Sequence, residues 1–184
     1  AASWRGERKP WTIISGSDEG GIYKSADAGK TWQKLKKGLP KGLIGKIDLA
    51  TTAADPNRVY ALIEAENNQG GVYVSYDRGK KFTAMSHRKE LVNRPFYYCN
   101  LEADPKNADI IFSNANRFMM SHDAGKTWEI MRTPHGDNHD IWINPNNTKI
   151  WIQSNDGGAN ITFNGGKSWT TQFNQPTAEI YQVE

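Results

Sequence analysis

One eight-residue motif occurs four times along this chain of 184 residues. The copies are SADAGKTW at 25–32, SYDRGKKF at 75–82, SHDAGKTW at 121–128 and TFNGGKSW at 162–169. A second motif recurs in step with the first, as ADPNRVY at 54–60, ADPKNADIIF at 103–112 and INPNNTKIW at 143–151. Two different signals that share a period of roughly 40–50 residues indicate that one structural unit is repeated.

Each repeat unit contains short segments with the character of β-strands. In the second unit these segments are GKIDLATTA (45–53), RVYALIEA (58–65), GVYVSYD (71–77) and KKFTAM (80–85). The second segment alternates, and Val59, Ala61 and Ile63 fall on one side of it. The first unit lacks a first strand, and WTIISGS (11–17) is predicted to be its second strand, next to GIYKSAD. A final segment, AEIYQV (178–183), resembles another first strand.

Four-stranded units of this length are typical of a β-propeller, so we predict an all-β fold of four-stranded antiparallel blades. About four blades are present in a single segment, 1–184, with approximate bounds 11–37, 44–86, 96–132 and 139–173. Segment 178–184 is then the first strand of a further blade, which makes the chain part of a larger propeller. The alternative is that this strand closes a four-bladed ring.

The repeated motif falls between the third and fourth strands of each blade, where it has a mechanical role. Its aspartates can accept bonds from turn N–H groups, its glycines can take positive φ, and its serines can tie the turn ends together. Its last aromatic residue is predicted to point inward and seal the blade. The residues with these structural roles are Ser25, Asp27, Gly29, Trp32, Ser75, Asp77, Gly79, Phe82, Ser121, Asp123, Gly125, Trp128, Thr162, Asn164, Gly166 and Trp169.

The pattern S-x-D-x-G-x-T-W resembles the Asp-box, or BNR repeat, and Thr162 and Asn164 are the departures in the fourth copy. Asp-boxes occur in sialidases, xyloglucan-active glycoside hydrolases, sortilin-type receptor domains and many bacterial secreted proteins. The segments HGDNHDIWINPNN and NDGGANITFNGGKSW resemble, more closely, bacterial sortilin-like propeller proteins that are classed as glycosidases. The resemblance implies a propeller that is extracytoplasmic (secreted, periplasmic or at the cell surface). It also implies that the Asp-boxes are structural and lie away from the active face.

Charge and hydropathy exclude several classes of partner. A net charge of +3, from 23 basic and 20 acidic residues, is too small to indicate a nucleic-acid-binding protein. Lysines 34, 36, 37, 41 and 46 cluster in the sequence, and we interpret them as a solvated strand and loop. No apolar run approaches the roughly 18 residues of a membrane-spanning helix, so no membrane span is expected.

Chain order predicts which loops share a face of the propeller. The Asp-boxes and the Asp-Pro turns lie on one face, and the remaining connections lie on the other. Binding sites favour variable loops on a rigid scaffold, so the second face is the candidate binding face. Its loops are 17–21, 66–71, 86–98, 114–117, 133–140 and 154–158.

Three clusters on these loops are candidate binding residues. They comprise His135, Asp137, His139 and Asp140, then Asn155 and Asp156, then Arg94 and Tyr97, together with Arg117. Histidine and aspartate can ligate divalent ions, but the spacing matches no standard zinc pattern. We therefore interpret the first cluster as a hydrogen-bonded loop, the second as a turn, and the third as partly core, and we expect no metal and no cofactor.

The same aspartates are weak candidates for catalysis, because glycosidases use two carboxylates about 5–9.5 Å apart. Asp156 paired with Asp137 or Asp140 has the required chemistry. Sialidases carry an Arg-Ile-Pro segment, and the nearest counterpart in this chain is Asn93-Arg94-Pro95. We therefore do not expect a sialidase. Xyloglucan-active enzymes place their two aspartates in separate propeller halves, so four blades hold at most part of such a site.

Three functions follow as hypotheses. The first is a scaffold that binds a protein, peptide or glycan through its loop face. The second is part of a glycoside hydrolase acting on plant-type or other polysaccharides, although we do not expect this chain alone to be an enzyme. The third is a structural subunit of a larger assembly. In each case the expected neighbours are the remaining blades of a longer chain or another subunit.

Overall fold

The computed structural model describes residues 1–173 and 182–183 as short antiparallel strands with one 3₁₀ helix. The first strands are β1 (Ala2–Ser3), β2 (Gly6–Lys9), β3 (Thr12–Ser15), β4 (Gly21–Lys24) and β5 (Gln33–Lys34). Next come β6 (Ile44–Thr52), β7 (Asp55–Ala65), β8 (Gly71–Ser75), β9 (Thr83–Ser86) and the 3₁₀ helix (Lys89–Val92). They are followed by β10 (Asn100–Ala103), β11 (Ile111–Asn114), β12 (Phe118–Ser121), β13 (Glu129–Ile130), β14 (Asn138–Ile143), β15 (Trp151–Asn155) and β16 (Gly158–Thr162).

Two of the sheets are complete four-stranded antiparallel units. Strands β6-β7-β8-β9 pair in chain order, and so do β10-β11-β12-β13. Strands β14-β15-β16 form a three-stranded sheet, β1-β4-β5 form another, and β2-β3 form a separate hairpin. Leaving the hairpin out, we call β1-β4-β5 the first sheet, β6–β9 the second, β10–β13 the third and β14–β16 the fourth. The prediction of an all-β fold with four-stranded antiparallel blades is confirmed.

Alternation along the strands packs the sheets face to face. On β7, Tyr60 and Leu62 are fully buried against the third sheet in chain order, which begins with β10. Ala61 and Ile63, with Val59 at the margin, pack on the opposite side against Ile22 of β4, as the sequence pattern predicts. A large apolar side chain buried in this way contributes about 1.5–3 kcal/mol. Strand β10 lies beside both β6 and β14, so the first strands of successive sheets are neighbours.

The prediction that WTIISGS is the second strand of the first blade is wrong. Strand β3 pairs with β2 in a hairpin, and β1 takes the place beside β4, with Ala2 opposite Ile22. The reason is a turn at Gly16, whose φ of 97° ends β3 and is accessible to glycine without steric cost. Ser17 then pairs with Ile44 at the start of β6 instead of continuing along β4.

Each of the four repeated motifs folds into the same hydrogen-bonded turn. Ser25 Oγ accepts from Gly29 N at 2.8 Å, and Asp27 Oδ1 accepts from Thr31 N at 2.9 Å. The same bonds join Ser75 to Gly79, Asp77 to Lys81, Ser121 to Gly125, Asp123 to Thr127, Thr162 to Gly166, and Asn164 to Ser168. In each copy two consecutive residues have positive φ, namely Ala28–Gly29, Arg78–Gly79, Ala124–Gly125 and Gly165–Gly166.

The aromatic residue that ends each motif is not buried equally. Phe82 is 2% exposed, whereas Trp32 is 52% exposed, so the prediction that this residue seals the blade is wrong for Trp32. No sheet in the described part of the chain covers the outer side of Trp32, whereas Phe82 packs against the first sheet. Trp128 and Trp169 are half-buried, and the Trp169 indole donates to Arg132 O rather than to its own turn.

The predicted final strand, 178–183, lies mostly outside the described residues; Gln182 and Val183 line a cavity beside the first strands of three sheets. Among the described residues, none of the helices has the length and apolar character needed to cross a bilayer.

Candidate binding site

The connection from β9 to β10 delivers the first part of the site. It is anchored by Leu91, which is fully buried, and then turns sharply at Arg94, whose φ is 55°. Arg94 O accepts from Tyr97 N at 3.0 Å and from Tyr98 N at 3.1 Å. This tight turn brings the two tyrosines next to the arginine that precedes them.

Arg94 lies on an aromatic platform. Its guanidinium carbon is 4.9 Å from the ring centre of Tyr97 and 5.5 Å from that of Tyr98. Arg94 is exposed, whereas Tyr98 is only 3% exposed. A cation stacked on tyrosine faces is held in place by the quadrupoles of the rings, so the charge is presented to solvent in a fixed position.

The β2-β3 hairpin forms a wall of the same surface. Arg8 lies over the rings of Tyr97, at 5.3 Å, and Phe96, at 5.9 Å, and it donates a hydrogen bond to the Tyr97 hydroxyl. Trp4 packs edge-on against Phe96 at 5.4 Å. Arg8 and Trp4 were missed in the sequence because their role depends on the pairing of β2 with β3, which the repeat pattern does not predict.

The hairpin is fastened to the second sheet through Glu64. Its Oε2 accepts from Ser15 Oγ at 2.5 Å and from Lys46 N at 2.8 Å. Lys46 Nζ in turn donates to Tyr98 O at 3.0 Å. The interpretation of Lys46 as a solvated lysine is therefore wrong, because this half-buried side chain supports the aromatic platform.

The loop before β14 supplies the second part of the site. Asp137 has φ 55°, and its Oδ1 accepts from Asn116 Nδ2 at 2.6 Å. The Asp137 carboxylate also lies beside Tyr98, and burial, together with this charge, raises the pKa of the Tyr98 hydroxyl far above its ordinary value. Tyr98 is therefore a neutral hydrogen-bonding group at every physiological pH.

His139 and Asp156 form the third part. His139 Nε2 lies 2.6 Å from Asp156 Oδ1, and the Tyr98 ring is 5.3 Å from the imidazole. The His139 side chain is 3% exposed and that of Asp156 is 31% exposed, so the carboxylate reaches the surface while the imidazole remains inside. Exposed His135 lies against Gly157 in the next loop.

Asn155 supports this loop from within and is fully buried. Its Oδ1 accepts from Gly157 N at 2.9 Å, and its Nδ2 donates to Gln153 Oε1 at 2.8 Å. The structure therefore brings together six of the predicted residues with Tyr98, and these are His135, Asp137, His139, Asp156, Arg94 and Tyr97. Asn155 lies beneath them.

Asp140 and Arg117 lie elsewhere. Asp140 lines a cavity of about 580 Å³ together with Asp48 and Glu102, which come from the first strands of the two preceding sheets. Burial and the charges of Asp140 and Asp48 raise the pKa of Glu102 to about 7. Arg117 is exposed, and its charge acts on Glu90.

Within residues 1–173 and 182–183, no group of three or more His, Cys, Asp or Glu side chains has the arrangement needed to hold a metal ion. The side chains of the His135–Asp140 segment instead point to two different parts of the molecule. His139 and Asp137 contact other protein groups at the surface described above, and Asp140 faces the acidic cavity.

Comparison with known proteins supports the fold assignment but does not identify a family for this chain. No protein-family model matches the chain, and no curated protein sequence matches it. A GH74 xyloglucanase from Xanthomonas campestris is 16% identical, with a TM-score of 0.58, over 96% of this chain and 33% of the enzyme. A GH74 enzyme from Niastella koreensis is 20% identical, with a TM-score of 0.58, over 86% of this chain and 27% of the enzyme.

YCF48, in a structure bound to D1 peptide, is 13% identical, with a TM-score of 0.57, over 92% of this chain and 50% of YCF48. This chain therefore spans between about a quarter and a half of these proteins. At such low identities the likeness concerns the fold alone. The chain has the fold of a β-propeller built of four-stranded antiparallel blades.

Proposed function

We propose that this chain is a propeller scaffold that binds a protein or peptide through its arginine–tyrosine surface. This surface consists of Arg8, Arg94, Tyr97, Tyr98, Asp137, His139 and Asp156. The observation that carries the proposal is the exposed Arg94 guanidinium, which is stacked on the rings of Tyr97 and Tyr98. Arginine and tyrosine are enriched among the few residues that carry most of the binding energy of protein interfaces.

The stacking favours a peptide or protein over a glycan. Sugars bind aromatic residues through the flat face of the ring. Here Arg94 and Arg8 both lie over Tyr97, at 4.9 and 5.3 Å from its ring centre, so they take the place that a sugar would need on this ring. Their guanidinium groups then offer planar donors suited to carboxylates or backbone carbonyls of a peptide. YCF48, a protein of similar fold, is described as bound to a peptide, which supports this use of the scaffold.

The same proposal includes the repeat family, the blade bounds, the location and the neighbours of this chain. The turn bonds shared by the four motifs support membership of the Asp-box group. We further propose the bounds given above for the second, third and fourth blades, an extracytoplasmic location, and neighbours that are additional blades of a longer chain or another subunit. The partial coverage of similar propellers supports these neighbours.

A peptide selection tests the binding function. Peptides selected from a random displayed library on the wild-type chain are titrated against Arg94→Ala and against Arg117→Ala, which removes an exposed arginine outside the surface. We expect Arg94→Ala to weaken binding by about tenfold or more, and Arg117→Ala to leave it within about twofold. Failure to select any peptide, or equal loss in both variants, would refute the proposal.

A second candidate is part of a glycoside hydrolase, and the observation that favours it is the gathering of Asp137 and Asp156 around His139 and Tyr98. The carboxylates are engaged, however, by Asn116 and His139 respectively. The test is hydrolysis of xyloglucan and β-glucan oligomers by the wild-type chain and by Asp156→Asn. Turnover that disappears in the variant would favour the enzyme over the binding scaffold.

A further inference from the structure

A second surface lies on another part of the molecule, along β5 and the segment that follows it. It contains two adjoining cavities, of about 310 Å³ and about 550 Å³. Both cavities are lined by Lys34, Leu35 and Lys36, so the two adjoin along this segment, beside the first and second sheets. We call the two adjoining cavities together the lysine groove.

The smaller cavity is mainly aliphatic. Ile22, Ile44 and Ile63 form its floor and are 4%, 6% and 1% exposed. Leu35 and Leu39 are half-buried and form its sides. A cavity of this size and lining suits a large apolar group that enters from solvent, because binding pockets are concave and mostly apolar with few polar groups.

The walls of the groove are strongly basic. Six lysines line the two cavities, against the single aspartate Asp18, whereas the whole chain carries a net charge of only +3. These lysines are Lys24, Lys34, Lys36, Lys37, Lys41 and Lys80.

In the described part of the chain none of the six forms an ion pair with a carboxylate. Lys24 and Lys34 donate instead to the backbone carbonyls of Arg78 and Asp18. The groove therefore carries an excess of positive charge that no ion pair within the described part of the chain offsets.

We propose that the lysine groove binds an acidic peptide segment that carries one large apolar side chain. The apolar side chain enters the aliphatic cavity, and flanking carboxylates lie against Lys34, Lys36 and Lys41 on one side and Lys37 and Lys80 on the other. Charge complementarity of this kind steers a partner to the site and excludes partners of the wrong sign.

Two features favour a peptide over a nucleic acid. Nucleic-acid grooves combine phosphate-binding cations with aromatic rings on which bases stack. No aromatic residue lines either cavity in the described residues, and the nearby Tyr23 ring has Lys34 Nζ over it at 5.9 Å. Strand β5 is also the outermost strand of its sheet, and an extended peptide can pair with such an edge.

The test uses a synthetic probe peptide with a central phenylalanine flanked on both sides by glutamates. Binding is measured by fluorescence anisotropy to the wild-type chain and to the double variant Lys36→Glu/Lys41→Glu, whose side chains are exposed and make no side-chain bond in the described residues. The matched control is Lys126→Glu/Lys149→Glu, which changes the same charge at exposed lysines outside the groove.

We expect saturable binding that weakens as salt is added and falls about tenfold or more in the groove variant but not in the control. Replacing the phenylalanine of the probe with serine is expected to weaken binding by about tenfold, because the apolar cavity then stays empty. The proposal is wrong if the probe does not bind, if both variants weaken it equally, if the serine probe binds as well, or if oligothymidylate binds as tightly. Binding of peptides at the arginine–tyrosine surface is measured separately with Arg94→Ala, so either proposal can fail alone.

Discussion

His139 Nε2 on β14 lies 2.6 Å from Asp156 Oδ1, in the loop that follows β15. An ionised carboxylate only accepts hydrogen bonds, so the imidazole nitrogen is the donor. The Tyr98 ring packs on the imidazole at 5.3 Å and connects this pair to the preceding sheet. One short contact therefore fixes a surface loop to the first strand of its own blade and to the platform beneath Arg94.

The first prediction concerns this pair. Asp156→Asn replaces a charge-assisted hydrogen bond with a neutral one of the same shape, so the free energy of unfolding should fall by about 1–2 kcal/mol. Urea denaturation measures the change. Asp18→Asn, at an exposed aspartate outside the pair, should stay within about 0.5 kcal/mol. Equal effects of the two substitutions would contradict the role assigned to Asp156.

The second prediction concerns Arg58, which links the second and third sheets. Its Nη1 is 2.8 Å from both Tyr60 Oη and Asp109 Oδ1, and its guanidinium lies 4.4 Å from the ring centre of Tyr76. The Arg58 side chain is only 10% exposed. Arg58→Ala removes these contacts together, so we expect a loss of about 2–3 kcal/mol in unfolding free energy.

Asp109→Asn is the companion variant for Arg58. The Asp109 side chain is 57% exposed, so water replaces much of the lost interaction and we expect a loss below about 1 kcal/mol. Thermal and urea unfolding measured on both variants give the comparison. An Asp109→Asn variant as unstable as Arg58→Ala would show that the ion pair, rather than the packing and bonds of the buried guanidinium, is responsible.

The third prediction compares two copies of the repeated turn. Ser121 Oγ accepts from Gly125 N at 2.8 Å, and both residues are buried. Ser121→Ala leaves this N–H without its partner, so stability should fall by about 1–3 kcal/mol. Ser25→Ala removes the same bond at exposed Gly29, where water satisfies the N–H, and should cost less than about 1 kcal/mol. The reverse order of the two effects would contradict this explanation.

The fourth prediction concerns pH. Burial and the carboxylates Asp140 and Asp48 raise the pKa of Glu102 from 4.5 to about 7 in the folded state. The folded protein therefore binds a proton more tightly than the unfolded chain, so Glu102 lowers stability as pH rises from about 4.5 to about 7. Glu102→Gln removes this penalty, and we expect stabilisation of at most about 3 kcal/mol at pH 8 and almost none at pH 4.

Urea denaturation across this pH range measures the effect of Glu102→Gln. Glu19→Gln, at an exposed glutamate, is the control and should show no such pH dependence. Stabilisation of Glu102→Gln that is the same at pH 4 and pH 8 would contradict a proton-linked cause.

Local features of the fold were predictable because their partners are close in sequence. The side-chain bonds that close the turn at Ser121–Thr127 join residues within four positions of each other, so the motif itself carries much of the geometry. The alternation of Tyr60, Leu62 and their neighbours along β7 likewise follows from the two-residue period of a strand. These are the features that repetition makes visible.

The candidate site was only partly predictable. Arg94, Tyr97, His139 and Asp156 stand out as polar or aromatic residues on loops, but nothing in the sequence links Tyr98 with His139 across 41 positions. Asp140 seemed equivalent to its neighbour His139, yet the two side chains face different surroundings. Which residue of a loop reaches which surface depends on how one sheet packs on the next.

The sequence by itself therefore determined the repeat, the strand content and the turn chemistry, because these depend on backbone preferences and on bonds within a few residues. The tertiary structure alone decided that the hairpin of β2 and β3 carries Arg8 onto Tyr97, and that Lys46 supports Tyr98 rather than facing solvent. Both contacts join segments about 50 or more residues apart. Their geometry is set by the face-to-face packing of successive sheets, which local preferences do not encode.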